Sequence, residues 1–229
     1  SLVGSEMCIR DSWGTMSVDP AFVSEFKSGD TRRSASIIDW EAEGITSLAA
    51  FGDTYRDQRE YTGYTIKKYS PLCYADGTSA SKEDGSGDFQ LSNHQDYVIM
   101  RYADVFLMAA EFGSPKAQEY FDEVRKRAYT SEGTLSANYS QLPVTKENIM
   151  QERRLEFAFE SINYWDLLRQ GVDYAASKLA LSEKQVYSGG IVDFITISAD
   201  RIRTTKGLSQ IPYNQITLSN GTLVQNAGW

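Results

Sequence analysis

The largest supply of reactive groups in this 229-residue sequence is its 31 Asp and Glu side chains. Two carboxyls about 5–9 Å apart, set in a cleft beside aromatic platforms, would suffice to hydrolyse a glycosidic bond. So many acids put pairs at that distance by chance, so their abundance selects no catalytic pair. The sequence contains neither a G-x-S-x-G elbow, an H-E-x-x-H helix nor a Gly-rich phosphate loop. The one His, His94, sits among Ser, Asn and Gln and reads as solvated. Asp84-x-Ser86-x-Asp88 has the spacing that opens a calcium loop. Phe89 stands where that loop needs Gly, however, and Gln95 occupies its closing position. The two Cys, Cys8 and Cys73, supply neither a disulfide framework nor a Cys/His metal site. No catalytic residue, metal or cofactor is expected.

Charge narrows the partners further. The net charge is −8, and an acidic chain repels phosphate backbones. The dense basic runs, Arg125-Lys126-Arg127 and Arg153-Arg154, are interleaved with Glu and Asp and read as salt-bridged helix faces. Nucleic acid is therefore not an expected partner. At 41% apolar and 24% charged the composition is that of a folded globular chain. No apolar run approaches the roughly 20 residues of a membrane-spanning helix. Aromatics reach 12%, with 14 Tyr and 4 Trp, and such amphipathic rings suit both cores and binding surfaces.

The elements that must position these groups change character along the chain. Residues 13–95 mix Gly, Ser, Asp and Thr with short β-leaning runs such as 61–66, and 79–92 reads as a surface loop. Helical periodicity then takes over. From 97 to 112, Val98, Tyr102, Val105 and Ala109 form a stripe that Ile99, Phe106 and Ala110 widen, which predicts a helix buried on more than one side. Gly113-Ser114-Pro115 ends it and starts a second helix over 115–128, with Ala117, Tyr120, Phe121, Val124 and Ala128 on one face. The short connector makes the two an antiparallel hairpin. Thr145 caps a third helix over 146–160, and a short helix carrying Trp165, Leu167 and Leu168 runs to Gly171. Trp165 is expected in the core. Beyond Asp173, 174–186 reads as helix, 191–198 alternates like a strand, and 207–229 is mostly irregular. Residues 1–12 resemble the translation of a transposon-type sequencing adaptor, so the natural chain is expected to begin near Trp13.

Several segments together resemble the SusD/RagB family, in its order, from about residue 19 to the last residue. Arg101-Tyr102-Ala103-Asp104-Val105-Phe106-Leu107-Met108-Ala109-Ala110-Glu111 is similar to that family's "RYADVLLMYAEA" helix. Gly29-Asp30-Thr31-Arg32-Arg33 resembles its "D-P-R" turn, with Thr31 in place of Pro, and 64–69 resembles its "KY" strand. Phe121-Asp122-Glu123-Val124-Arg125-Lys126-Arg127-Ala128 resembles "lNeVRkRA". Residues 152–160 followed by 164–169 are similar to "ERRlELafEG.RyfDLlR", and Ile211-Pro212-Tyr213 with Gln225-Asn226-Ala227-Gly228-Trp229 to "PIP…QNPGY". Ser161, Asn163 and Ala227 stand where the family usually has Gly, Arg and Pro.

The resemblance implies a mainly α protein, a TPR-like helical scaffold with long irregular loops and minor β. On it, 13–229 is the C-terminal part of a single domain whose helical core spans about 97–171. It also implies a surface-exposed outer-membrane lipoprotein, held by an N-terminal lipid anchor, that passes glycans or other nutrients to a SusC-like TonB-dependent transporter without catalysis. A TPR-like protein-interaction module and a carbohydrate-active enzyme are the competing readings. Loops would bear the ligand, and the loop residues suited to oligosaccharide or polysaccharide are Trp13, Trp40, Tyr55, Arg56, Tyr61 and Tyr74. The motif charges read as structural. Glu152, Arg153 and Asp166, with Arg101 or Arg125, are expected to form buried or half-buried ion pairs that lock the helices together.

Overall fold

The computed structural model describes residues 2–3, 17–44, 61–68, 73–74, 97–188 and 191–229. The chain forms two compact units: Ser1–Glu160 with Tyr187–Ile191, and Ser161–Val186 with Val192–Trp229. Among the described residues every sheet has two strands while helices recur from end to end, so the chain is mainly α.

In the first unit β1 (Leu2–Val3) pairs with a strand at Cys73–Tyr74. Asp19 caps α1 (Pro20–Val23) by accepting from the Ala21 amide, and Pro20 sits in the first turn, where its missing N–H costs nothing. A turn leads into α2 (Arg32–Ser36) and then β2 (Ile37–Asp39). β2 pairs antiparallel with β3 (Tyr64–Ile66), within the β-leaning run read from the sequence, and β4 is the Cys73–Tyr74 strand. Val18, Val23, Phe26, Ile37, Leu155 and Ala158 form one core, flanked by Phe22 and Phe159 in edge-to-face contact with each other.

The helical hairpin follows. α3 (Tyr102–Glu111) packs on α4 (Ala117–Ala128), with the Phe106 and Tyr120 rings stacked. Both helices start later than their periodicity predicts. Arg101 is extended ahead of α3, which lets its guanidinium reach Glu156 and Glu160, and the Ser114 hydroxyl and carbonyl hold a turn ahead of α4. α3 also buries one side only. Leu107 and Ala110 are enclosed, whereas Val98, Ile99, Tyr102 and Val105 are exposed. A short hairpin of β5 (Thr130–Ser131) and β6 (Thr134–Leu135) leads on toward α5 (Lys146–Glu156), whose cap Thr145 accepts from the Asn148 amide.

α5 stops at Glu156, not at 160. Phe159 (φ 66°) and Ser161 (φ 62°) adopt left-handed backbone, the second at the position where the family resemblance has Gly. That turn is what swings Glu160 back toward Arg101.

The second unit contains α6 (Asn163–Arg169), α7 (Val172–Leu179), α8 (Ala199–Thr205), α9 (Tyr213–Leu218) and all but the Tyr187–Ile191 tip of the paired strands β7 (Leu181–Ser188) and β8 (Ile191–Ile197). Two expectations fail here. The helix over 174–186 is α7 followed by a strand, because pairing with β8 overrides local propensity. The tail, by contrast, is mostly irregular as its sequence reads, broken only by α9 behind Pro212. Trp165 is 62% exposed: α6 turns Asp166 and Leu167 inward instead. The chain end is tied down. Gln225 exchanges two hydrogen bonds with Ile211, Trp229 Nε1 donates to the Leu208 carbonyl (2.9 Å), and the Arg201 guanidinium lies 4.1 Å over the Trp229 ring.

Candidate functional site

Two places in the first unit gather chemistry-bearing side chains. One is a buried ionic cluster on α5. Glu152, fully enclosed, accepts from Arg32 (2.6 Å) and Arg125 (2.7 Å). Arg32 also grips Asp30 (2.7 Å) and Glu156 (3.2 Å). Glu156, one turn along, takes further bonds from Arg101 and Arg127, and Glu160 from Arg101 and Lys68. Arg153 reaches Asp104 on α3 (2.6 Å), and the Arg101 and Arg153 guanidiniums lie 4.4 Å and 5.0 Å from the centroid of one Phe157 ring. In the second unit Asp166 accepts from Arg169, three residues on in the same helix (2.9 Å).

The residues expected in ion pairs, Arg101, Arg125, Glu152, Arg153 and Asp166, thus each hold a carboxylate or a cation in the structure. Sequence reasoning missed Arg32, which joins Asp30 to two carboxylates more than a hundred residues away. Its signal was the Asp30-Thr31-Arg32 spacing, which lets one carboxylate accept from both the backbone and the side chain of the residue two on. Glu160, Lys68 and Asp104 were missed as well.

A general acid needs a carboxyl with a raised pKa, and Glu156 is the reverse. Burial alone would raise it, but the hydrogen bond from Arg101 and the charges of Arg127, Arg101 and Arg32 hold it below its ordinary 4.5. A carboxyl depressed in the fold contributes stability above its unfolded pKa and loses it as pH falls through the folded one. Urea midpoints are therefore expected to be level near neutrality and to drop below about pH 4.5, more shallowly in Glu156→Gln. Equal acid slopes in the two chains would refute this account.

The second place is an open groove of about 630 Å³ beside α2 and β2. Phe26 and Ile37, both buried in the core, border it at their edges, and Lys27, Ser28, Arg33, Ser34, Asp39 and Glu43 bring polar groups to its lining. The Arg33 Nη2 donates to Asp39 (2.8 Å), whose other oxygen accepts from the Ala42 amide (3.1 Å).

Of the expected ligand residues, Trp13, Tyr55 and Arg56 lie outside the described residues, and Tyr74 is described only as backbone in β4. Trp40, next to the groove residue Asp39, is 3% exposed and packs edge-to-face on the half-buried Tyr61 (5.5 Å), so its ring is a wall and not an open platform. Among the described residues no cluster of three His, Cys, Asp or Glu could hold a metal ion, and no helix is long and apolar enough to cross a membrane.

Known proteins match this arrangement. The SusD family model matches residues 15–229. The SusD-like protein P25 of Formosa agariphila is 35% identical over 86 residues, covering 35% of this chain and 16% of that protein. Among solved structures, surface glycan-binding protein A of Bacteroides thetaiotaomicron superposes with a TM-score of 0.67 at 25% identity, over 92% of this chain and 41% of that one. A second structure of a surface glycan-binding protein A from that organism, in complex with laminarihexaose, gives 0.65 at 26% identity, over 94% of this chain and 44% of its own. The chain thus spans about two-fifths of the solved relatives, with the mainly helical, TPR-like fold that its motifs imply. With the match running through nearly all of its length, the chain belongs to the SusD family.

Proposed function

We propose that this chain is part of a non-catalytic cell-surface protein that captures glycans and passes them to a SusC-like TonB-dependent transporter, held at the outer membrane by an N-terminal lipid anchor. The observation that carries the reading is the likeness, over 94% of the chain, to a surface glycan-binding protein whose structure holds laminarihexaose. The carboxylates of the α5 cluster support a non-catalytic role, since they are spoken for by arginines and Glu156 is held ionised. Ligand contact falls to loop groups, among which Trp13, Tyr55, Arg56, Tyr61 and Tyr74 have the stacking faces and planar donors that sugars use. Trp40 backs one of them, packing edge-to-face on Tyr61.

Affinity-gel electrophoresis of the whole protein from the same locus tests this. Retardation by a polysaccharide with no hydrolysis products is expected, weakened about tenfold by Tyr61→Ala. Release of shorter saccharides would overturn the non-catalytic reading, and retention by peptides alone would move the protein to another nutrient.

A further inference from the structure

We infer that the groove beside α2 and β2 is a saccharide subsite selective for uncharged glycans, an inference that rests on the glycan-capture reading and narrows it. Its volume, about 630 Å³, lies within the roughly 300–1,000 Å³ of small-ligand clefts. A sugar hydroxyl both donates and accepts, so a surface that recognises it must offer both kinds of partner at close spacing. The groove does. Lys27 and Arg33 donate, Asp39 and Glu43 accept, the Ser28 hydroxyl keeps its proton to donate, and the Ser34 hydroxyl, which donates to the Thr31 carbonyl (3.1 Å), keeps its lone pairs to accept.

The walls are built in advance. The Thr31 amide and hydroxyl both donate to the Ala128 carbonyl (2.8 and 3.0 Å), and Ser28 Oγ accepts from Asn138 (3.1 Å). Gly29 sits so close to Ser136 that a Cβ there would lie 2.4 Å from its Oγ, and its φ of +88° is one that side chains avoid. Groups already held in place lose little freedom on binding, which favours a weakly contacting ligand such as a sugar.

Charge selects the class. Asp30, also in the lining, is buried and neutralised by Arg32, which leaves two cations and two anions around the groove. Arg33 is already engaged by Asp39. A uronate or sulfate would have to displace that pair and approach Glu43, on a chain whose net charge is −8. An uncharged chain of sugars meets no such penalty.

The test is a glycan array carrying uncharged, uronate and sulfated oligosaccharides, probed with the full chain and with two variants at exposed groove positions, Ser34→Trp and Glu43→Lys. Both variants are first matched to the parent in urea midpoint. Uncharged glycans are expected to bind, with at least a tenfold loss in Ser34→Trp as its ring fills the groove, and Glu43→Lys is expected to gain uronate binding. Binding chiefly of uronate or sulfated glycans by the parent would overturn the inference while leaving glycan capture intact. Binding of uncharged glycans that Ser34→Trp leaves unchanged would remove the site from this groove. No binding to any saccharide would sink the capture reading, and the inference with it.

Discussion

Replacing Arg32 with Met is expected to cost about 3–5 kcal/mol, because it strips the common cation from buried carboxylates. Arg32 is buried and contacts Asp30, Glu152 and Glu156. Methionine keeps the stem of the side chain but supplies no charge and no donor. Arg125 still holds Glu152, and Arg101 and Arg127 still hold Glu156, yet Asp30 loses its guanidinium partner inside the fold. Arg127→Met is the matched control, since Arg127 binds the same Glu156 through a side chain 60% exposed. An ion pair open to water on one side contributes about 0–1 kcal/mol. Urea unfolding followed by far-UV circular dichroism, which reports the loss of the helices, measures both. Similar small losses in the two variants would show that the cluster is not what holds α2 to α5.

The second large effect is steric. Phe121→Ala is expected to cost about 3–5 kcal/mol, the usual result of emptying an enclosed aromatic site. Phe121 is 0% exposed on α4, in the helical hairpin whose partner α3 buries Leu107 and Ala110. Phe112, the residue that ends α3 at the hairpin's connector, is 83% exposed, and Phe112→Ala should stay within about 0.5 kcal/mol. The comparison separates burial from residue type. A Phe121→Ala chain that unfolds within about 1 kcal/mol of the parent would mean the hairpin closes over the gap.

Much of this was legible in the sequence, and the reason differs by feature. The periodicity of Tyr102, Val105, Ala109 and Ala110, or of Phe121, Val124 and Ala128, is a local property, and it predicted the hairpin to within a few residues at its starts, although in α3 it marked exposed Tyr102 and Val105 and passed over the enclosed Leu107. The Thr145 cap was readable for the same reason, since a hydroxyl and an amide three residues on meet through backbone geometry alone. Ends governed by contacts from elsewhere were not. Glu160 has helical neighbours in sequence, yet left-handed turns at Phe159 and Ser161 take it out of α5 and leave it beside Arg101 and Lys68. Trp165 sits in an apolar motif, yet the side of α6 that faces inward is the one bearing Asp166 and Leu167.

The sequence by itself determined the family, through motifs in a set order, and the helical frame, through spacing at three and four residues. It also marked Glu152, Arg153 and Arg101 as charges that a packed helix must pair. Tertiary structure alone decided which partners they take: Arg32 comes to Glu152 across 120 residues of chain. It also turned Trp40 from a loop ring into a buried wall of the fold, and it brought Lys27, Arg33, Asp39 and Glu43 around one groove. The physical reason is range. Helical periodicity and capping are set by neighbours a few residues away, whereas ion pairing and groove formation depend on which apolar faces meet when the chain collapses.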